Sequence, residues 1–85
     1  MPNTIGFTLR NNQMTDVNVT VVDLRTGANA AENAPLNVGE SLPVSLVAGS
    51  DGTGSAAWAF ASANGSVNSN KTQSNIRDGD ECTLG

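Results

Sequence analysis

The chain contains no histidine, no tyrosine and only one cysteine in 85 residues. Each shortage removes a class of chemistry. A lone Cys82 excludes a disulfide within the chain. Without histidine, a zinc or copper site loses its commonest ligand, and acid–base catalysis loses its commonest base. A Cys82 nucleophile would have no imidazole partner, and a thiol buried in a strand is normally inert. Charge is scarce too, at 14% of residues against about 25% in an ordinary domain. The four bases, Arg10, Arg25, Lys71 and Arg77, are scattered along the whole length. No cluster exists to neutralise a nucleic-acid backbone or dock on an anionic lipid surface, so neither nucleic acid nor membrane is an expected partner. No apolar stretch approaches the ~20 residues that span a bilayer. The opening MPNTIGFTLR has no basic segment followed by an apolar run. No signal peptide is therefore expected, and the expected location is cytoplasmic or virion-associated.

What remains is a polar, weakly acidic chain with a formal charge of −4. Asn, Ser, Thr and Gly solvate it in place of ions, as in secreted, virion or assembly-forming β-proteins. Its length suits one domain, residues 1–85. A domain this small hides only about 60–65% of the surface its unfolded chain exposes. With no disulfide or metal to help, it needs a good core or self-association.

Period-two alternation dominates the pattern. Ile5, Phe7 and Leu9 read as one face of a first strand. Val17, Val19 and Val21 read as a second, with a slip of phase at Val21-Val22 that predicts a bulge or a strand crossing between sheets. Residues 28–37 read as a short edge strand near Leu36 or one helical turn at 30–33, and Pro35 excludes a central strand there. Leu42, Val44, Leu46 and Ala48 form another alternating run, whose Pro43 places it at an edge or end. In AAWAFASA, residues 56–63, Trp58 and Phe60 share one face and Ala57, Ala59 and Ala61 the other. On a helix, the two rings would fall on different faces. Asn64-Gly65 follows, the preferred pair for a two-residue type I′ hairpin. That turn sets Ser62 opposite Val67 and brings Val67 to the face of Phe60. Residues 68–75 read as a solvated edge strand or a loop, and residues 81–84 as a short last strand. No internal repeat is visible in the letters. The expected fold is all-β: a single small antiparallel β-sandwich, Ig-like or jelly-roll-like, of six or seven short strands. Its expected core is Ile5, Phe7, Leu9, Val17, Val19, Val21, Leu42, Val44, Leu46, Trp58, Phe60 and Val67.

Few residues suggest a site. Gly52-Thr53-Gly54-Ser55-Ala56-Ala57 fits the G-x-G-x-x-A dinucleotide fingerprint. A phosphate there also needs a helix N-terminus, and the strand at 56–63 removes it; a flexible loop at 49–55 is the expectation. Asp78, Asp80 and Glu81 are oxygen ligands for a hard cation such as calcium, although their spacing is not that of an EF-hand. Asp51 and Ser50 add ligands if the two loops share one end of the fold. Trp58, the only tryptophan, either stacks on a sugar or a partner or forms the centre of the core. Phe60 and Val67 on its face favour the core.

The leading expectation is a non-enzymatic structural or protein-interaction domain that self-associates, of the virion-decoration or accessory-subunit type, with no cofactor and with itself or another protein as partner. The alternative is a small lectin-like or calcium-assisted module binding a glycan through the loops 49–55 and 78–81, with Asp51, Asp78, Asp80 and Asn and Ser side chains as hydrogen-bond partners; Trp58 is a separate candidate binding residue.

Overall fold

Alternating strands bury one row of side chains each, so they must be stacked with those rows facing one another. The computed structural model describes residues 3–85 and has this arrangement. The strands are β1 (Thr4–Arg10), β2 (Val17–Asp23), β3 (Asn29–Leu36), β4 (Ser41–Val47), β5 (Gly54–Ala61), β6 (Asn68–Ile76) and β7 (Glu81–Thr83). No helix occurs among the described residues. The sheets run in the orders β4-β1-β7 and β3-β2-β5-β6, giving a small β-sandwich. Its interior holds Ile5, Phe7 and Leu9 of β1, Val17, Val19 and Val21 of β2, Val44 and Leu46 of β4, and Trp58 and Phe60 of β5. Leu42 and Val67 pack at its margin. Leu36, Ala56, Ile76 and Leu84 are also buried, and the sequence pattern did not single them out.

Two expectations need correction in detail. The phase of β2 does not slip. Val17, Val19, Val21 and then Asp23 all point inward, and β2 runs in unbroken register along β5 from Asn18↔Ala61 to Asp23↔Ala56. Val22 belongs to the outer row, and Leu24 is left exposed beyond the strand. The irregularity lies in the partner strand: Val19 pairs with Ala34, Val21 with Ala31 and Val22 with Asn29, so β3 carries the extra residues. Residues 28–37 are accordingly the edge strand and not the helical turn. The hairpin after β5 keeps the expected register, with the Ser62 amide donating to the Val67 carbonyl. Its turn is not type I′. Gly65 N–H donates to Ser62 O, and only Gly65, not Asn64, has a positive φ. The Asn64 side chain instead accepts from Ser66 N–H and from the Ser62 hydroxyl.

The bulges decide which side chains reach the core. In β6, the ladder to β5 steps from Ala56↔Gln73 to Gly54↔Ile76. The extra residue turns Ile76 inward, where strict alternation would have pointed it to solvent. Asn75 takes the left-handed conformation at this bulge (φ 57°) and Asn33 takes it in β3 (φ 47°); asparagine tolerates it better than most residues.

An internal two-fold organises the strands. Exchanging β2, β3 and β4 for β5, β6 and β7 leaves both sheet orders unchanged, with β1 on the axis. Leu36 and Ile76 correspond, as do Gly39 and Gly79, Leu42 and Cys82, and Val44 and Leu84, each forty positions apart. The turns between edge strands match as well. Glu40 N–H donates to Asn37 O and Asp80 N–H to Arg77 O. A carboxylate caps the first amide of each: Glu40 Oε1 accepts from Asn37 N–H, and Asp80 Oδ2 from Arg77 N–H. Gly39 (φ 79°) and Gly79 (φ 88°) supply the left-handed third position of a type II turn. The repeat is invisible in the letters because its counterparts differ in size and chemistry. It also explains the one departure from antiparallel pairing. A two-fold perpendicular to the sheet sets β4 and β7 in opposite directions. The shared strand β1 must therefore run antiparallel to β4 and parallel to β7, as it does.

Two buried polar side chains pin the sheets together at opposite ends. Asn11, 1% exposed, donates through Nδ2 to Thr15 O and Leu36 O and accepts at Oδ1 from Gln13 N–H. Asp23, 5% exposed, accepts from Val47 N–H at Oδ2 and Arg25 N–H at Oδ1. Each links an element of one sheet to the other, and each satisfies backbone groups that would otherwise be buried without partners.

Candidate functional site

The loops β2–β3, β4–β5 and β6–β7 lie at one end of the sandwich. Residues 49–53 close on themselves as a compact turn: Gly49 N–H donates to Thr53 O at 2.9 Å and Gly52 N–H to Gly49 O at 3.0 Å. Asp51 Oδ1 accepts from Thr53 N–H (3.1 Å) and from the Thr53 hydroxyl (2.9 Å). Arg25 lies directly over Gly49, in space that any side chain there would fill, and its Nη2 is 3.8 Å from Asp51 Oδ1. No helix follows to hold a phosphate: Gly54 opens β5 and packs against Ile5 and Leu46.

The Thr53 amide, then its hydroxyl, and more weakly Arg25, hold the Asp51 carboxyl below the usual aspartate range. A depressed carboxylate favours the fold above its unfolded pKa, and that contribution is lost as pH falls through the folded pKa. Here the group is exposed and the contribution small. A carbon-13 NMR titration should give Asp51 a midpoint below that of an ordinary aspartate. Thr53→Val, which keeps the amide and removes only the hydroxyl, should return it part of the way, and Arg25→Gln less. Equal effects of the two variants would contradict this ordering of causes.

Asp51 and Asp78 do share one end of the fold. With Gly52, Thr53, Asn75 and Arg77 they line an open depression of about 630 Å³. The proposed cation set, by contrast, does not converge. Asp78 Oδ1 accepts from Gly6 N–H at 2.7 Å, docking the turn on β1. Asp80 Oδ2 caps Arg77 N–H. Glu81 opens β7 opposite Thr8. Among the described residues, no three of His, Cys, Asp or Glu come together as a metal ion requires. Asp78 and Asp80 thus accept from backbone amides at the turn, the ordinary role of Asp beside glycine.

Trp58 is not available as a surface anchor. It is 1% exposed, and its Nε1–H donates to Leu84 O at 3.1 Å. The pattern of Trp58, Phe60 and Val67 on one face already pointed inward, and the structure follows it. Cys82 is half-buried. Burial pushes its thiol up, and the Asp80 carboxylate adds to the shift, which favours the unreactive protonated form.

The surface that stands apart is the outer face of the four-stranded sheet. In β2 its row is Asn18, Thr20 and Val22; in β5 it is Ala57, Ala59 and Ala61. The β6 row is Asn68, Asn70 and Thr72. None of these residues is charged. The alanines of β5 face outward, with Ala59 exposed, and form a low strip between taller neighbours. A depression of about 300 Å³ lies there, lined in part by Asn18, Thr20, Ala59, Ala61 and Asn68. Each strand's alternation marks its outward residues. Which strands stand side by side is not written there, so the continuous face could not be read from the letters.

No family model matches the chain, no curated protein matches it, and no solved structure matches it.

Proposed function

We propose that this is a non-enzymatic structural β-domain that self-associates, of the kind that decorates a virion or serves as an accessory subunit of a larger assembly. The observation that carries the reading is the segregation of charge. The outer rows of β2, β5 and β6 hold only Asn, Thr, Val and Ala, although the chain has twelve charged residues, four basic and eight acidic. A surface free of ions can be covered without desolvating charge, which is the costly part of forming an interface. A thin stability margin adds a reason for burial between copies. Sedimentation equilibrium from about 10 µM to about 2 mM tests it, this window covering the weak affinities of small interfaces. A mass that climbs above the 8.7 kDa of one chain is the expected result; a monomer throughout removes the proposal.

A second reading is a small ligand-binding module, lectin-like or calcium-assisted. It is favoured by the depression where Asp51, Asn75, Arg77 and Asp78 meet, whose mixed amide, carboxylate and guanidinium groups suit the hydroxyls of a sugar. A thermal-shift measurement with and without calcium, followed by a glycan array, discriminates. No response in either retires this reading.

A further inference from the structure

We propose that a second copy of this chain docks face to face on the outer surface of the four-stranded sheet, about a two-fold axis parallel to the strands between β2 and β5. This rests on the self-association reading above and specifies its surface and its symmetry.

Three other routes of association are obstructed. Edge-to-edge pairing needs a free, straight strand edge. β3 carries Pro35 and two register shifts, and β4 carries Pro43. β7 is only three residues long. On β6, Lys71 pairs with the inward-facing Trp58 and so points to the inner side, and a bulge interrupts the strand near Asn75. An inward-pointing charge on an edge strand is a known obstacle to strand addition. The outer face of the three-stranded sheet presents Arg10 and Glu81 beside the acidic turn at 78–80. The loop end presents Arg25, Asp51, Arg77 and Asp78. On the outer face of the four-stranded sheet the rows of β2, β5 and β6 carry no ion, and the one charge beside them is Glu32 on the exposed bulge of β3. A net charge of −4 on each copy opposes contact little there, because charges more than about 8 Å away are screened at physiological salt.

The relief of the face selects the symmetry. The β2 row of Asn18, Thr20 and Val22 stands above the β5 row of Ala57, Ala59 and Ala61, its direct neighbour in the ladder. A two-fold parallel to the strands and midway between these rows lays the β2 ridge of one copy in the β5 trough of the other, and the reverse. The contact is isologous, each row meeting its complement twice. A two-fold perpendicular to the strands would set ridge on ridge and trough on trough. The chosen axis also keeps the strands of the two copies aligned, the common mode of sheet-on-sheet packing. It places β3 of each copy, with Glu32 at its bulge, over the uncharged outer row of β6 of the other.

The area sets the strength. Four strands about 4.8 Å apart and roughly 23 Å long present roughly 450 Å². Two such faces bury roughly 900 Å², less than the 1,200 Å² or so of a stable specific complex. The pair is therefore weak and transient, and becomes durable only when many copies are held together.

Sedimentation equilibrium of wild type, Ala59→Arg, Ala59→Glu and Ser45→Arg tests the surface. Ala59 is exposed at the centre of the trough, so neither substitution there disturbs the core; unchanged circular dichroism and melting midpoint verify this. Ser45 is exposed on the opposite sheet, paired with Gly6, and controls for added charge. The expected result is a dimer for wild type and Ser45→Arg, with at least tenfold weaker association for both Ala59 variants regardless of sign. Dimerisation that survives both Ala59 substitutions overturns the surface while self-association stands. Loss of association in Ser45→Arg as well overturns it too, because the effect then belongs to charge and not to place. A wild type that stays monomeric defeats the self-association reading, and this inference with it.

Discussion

Trp58→Ala should cost about 3–5 kcal/mol of folding stability, the usual range for deleting a large aromatic side chain from a core. The whole stability of a small domain is about 5–15 kcal/mol, so the variant should be partly or wholly unfolded at physiological temperature. Two losses combine. The indole sits at the middle of the sandwich, 6.2 Å from Phe7 between ring centroids and tilted by 35° to it. Its counterpart under the internal two-fold is Val21, which is far smaller. Trp58 is the largest side chain fully enclosed in the core. Second, Leu84 O loses the Nε1–H donor that now satisfies it, and a buried carbonyl left alone costs about 1–3 kcal/mol. Trp58→Phe separates the two, keeping a ring but no donor, and should cost about 1–2 kcal/mol. Urea denaturation followed by far-ultraviolet circular dichroism is the proper measurement, since the substitution removes the only tryptophan. A loss under about 1 kcal/mol for Trp58→Ala would mean that the ring does not fill the core, against a range of 3–5 for such deletions.

Asn11→Ala should cost about 2–3 kcal/mol, and Asn11→Asp at least as much despite its nearly identical shape. The reason is the direction of the hydrogen bonds. Nδ2 donates to two carbonyls, Thr15 O and Leu36 O, both at 3.0 Å. Alanine leaves those acceptors and the Gln13 amide without partners in a site closed to water, each at about 1–3 kcal/mol before relaxation. An ionised aspartate does worse: it offers a carboxylate oxygen where two carbonyl oxygens already point, with no proton to share. Thermal melts at neutral pH give the order. If Asn11→Asp matches wild type, the side chain is not the pin between β1, the β1–β2 loop and the end of β3 that its contacts describe.

The strands were legible because burial on one side writes a two-residue period into the letters. Ile5-Phe7-Leu9 and Trp58-Phe60 needed no further information, and the prolines at 35 and 43 marked β3 and β4 as edges for want of an amide donor. The misreadings arose where one strand borrowed its irregularity from another. Val21-Val22 looked like a slip in β2, yet the bulge sits in β3, because a ladder between two strands can absorb an extra residue on either side. Ile76 looked peripheral because the bulge beside Asn75 changes its face. Asp78, Asp80 and Glu81 looked like ligands because a run of acids reads the same whether it gathers around an ion or caps turn amides; only the geometry of Gly6 and Arg77 separates the two.

Local chemistry alone therefore determined the class of the fold, its strands, its turns and most of its core, since each depends on residues near one another in the chain. Tertiary structure decided the neighbours: β5 beside β2, β1 between β4 and β7, and hence the internal two-fold and the adjoining uncharged rows of β2, β5 and β6. Those pairings join residues thirty or more positions apart, where the preference is a sum over whole strand surfaces and leaves no mark on any single stretch of sequence.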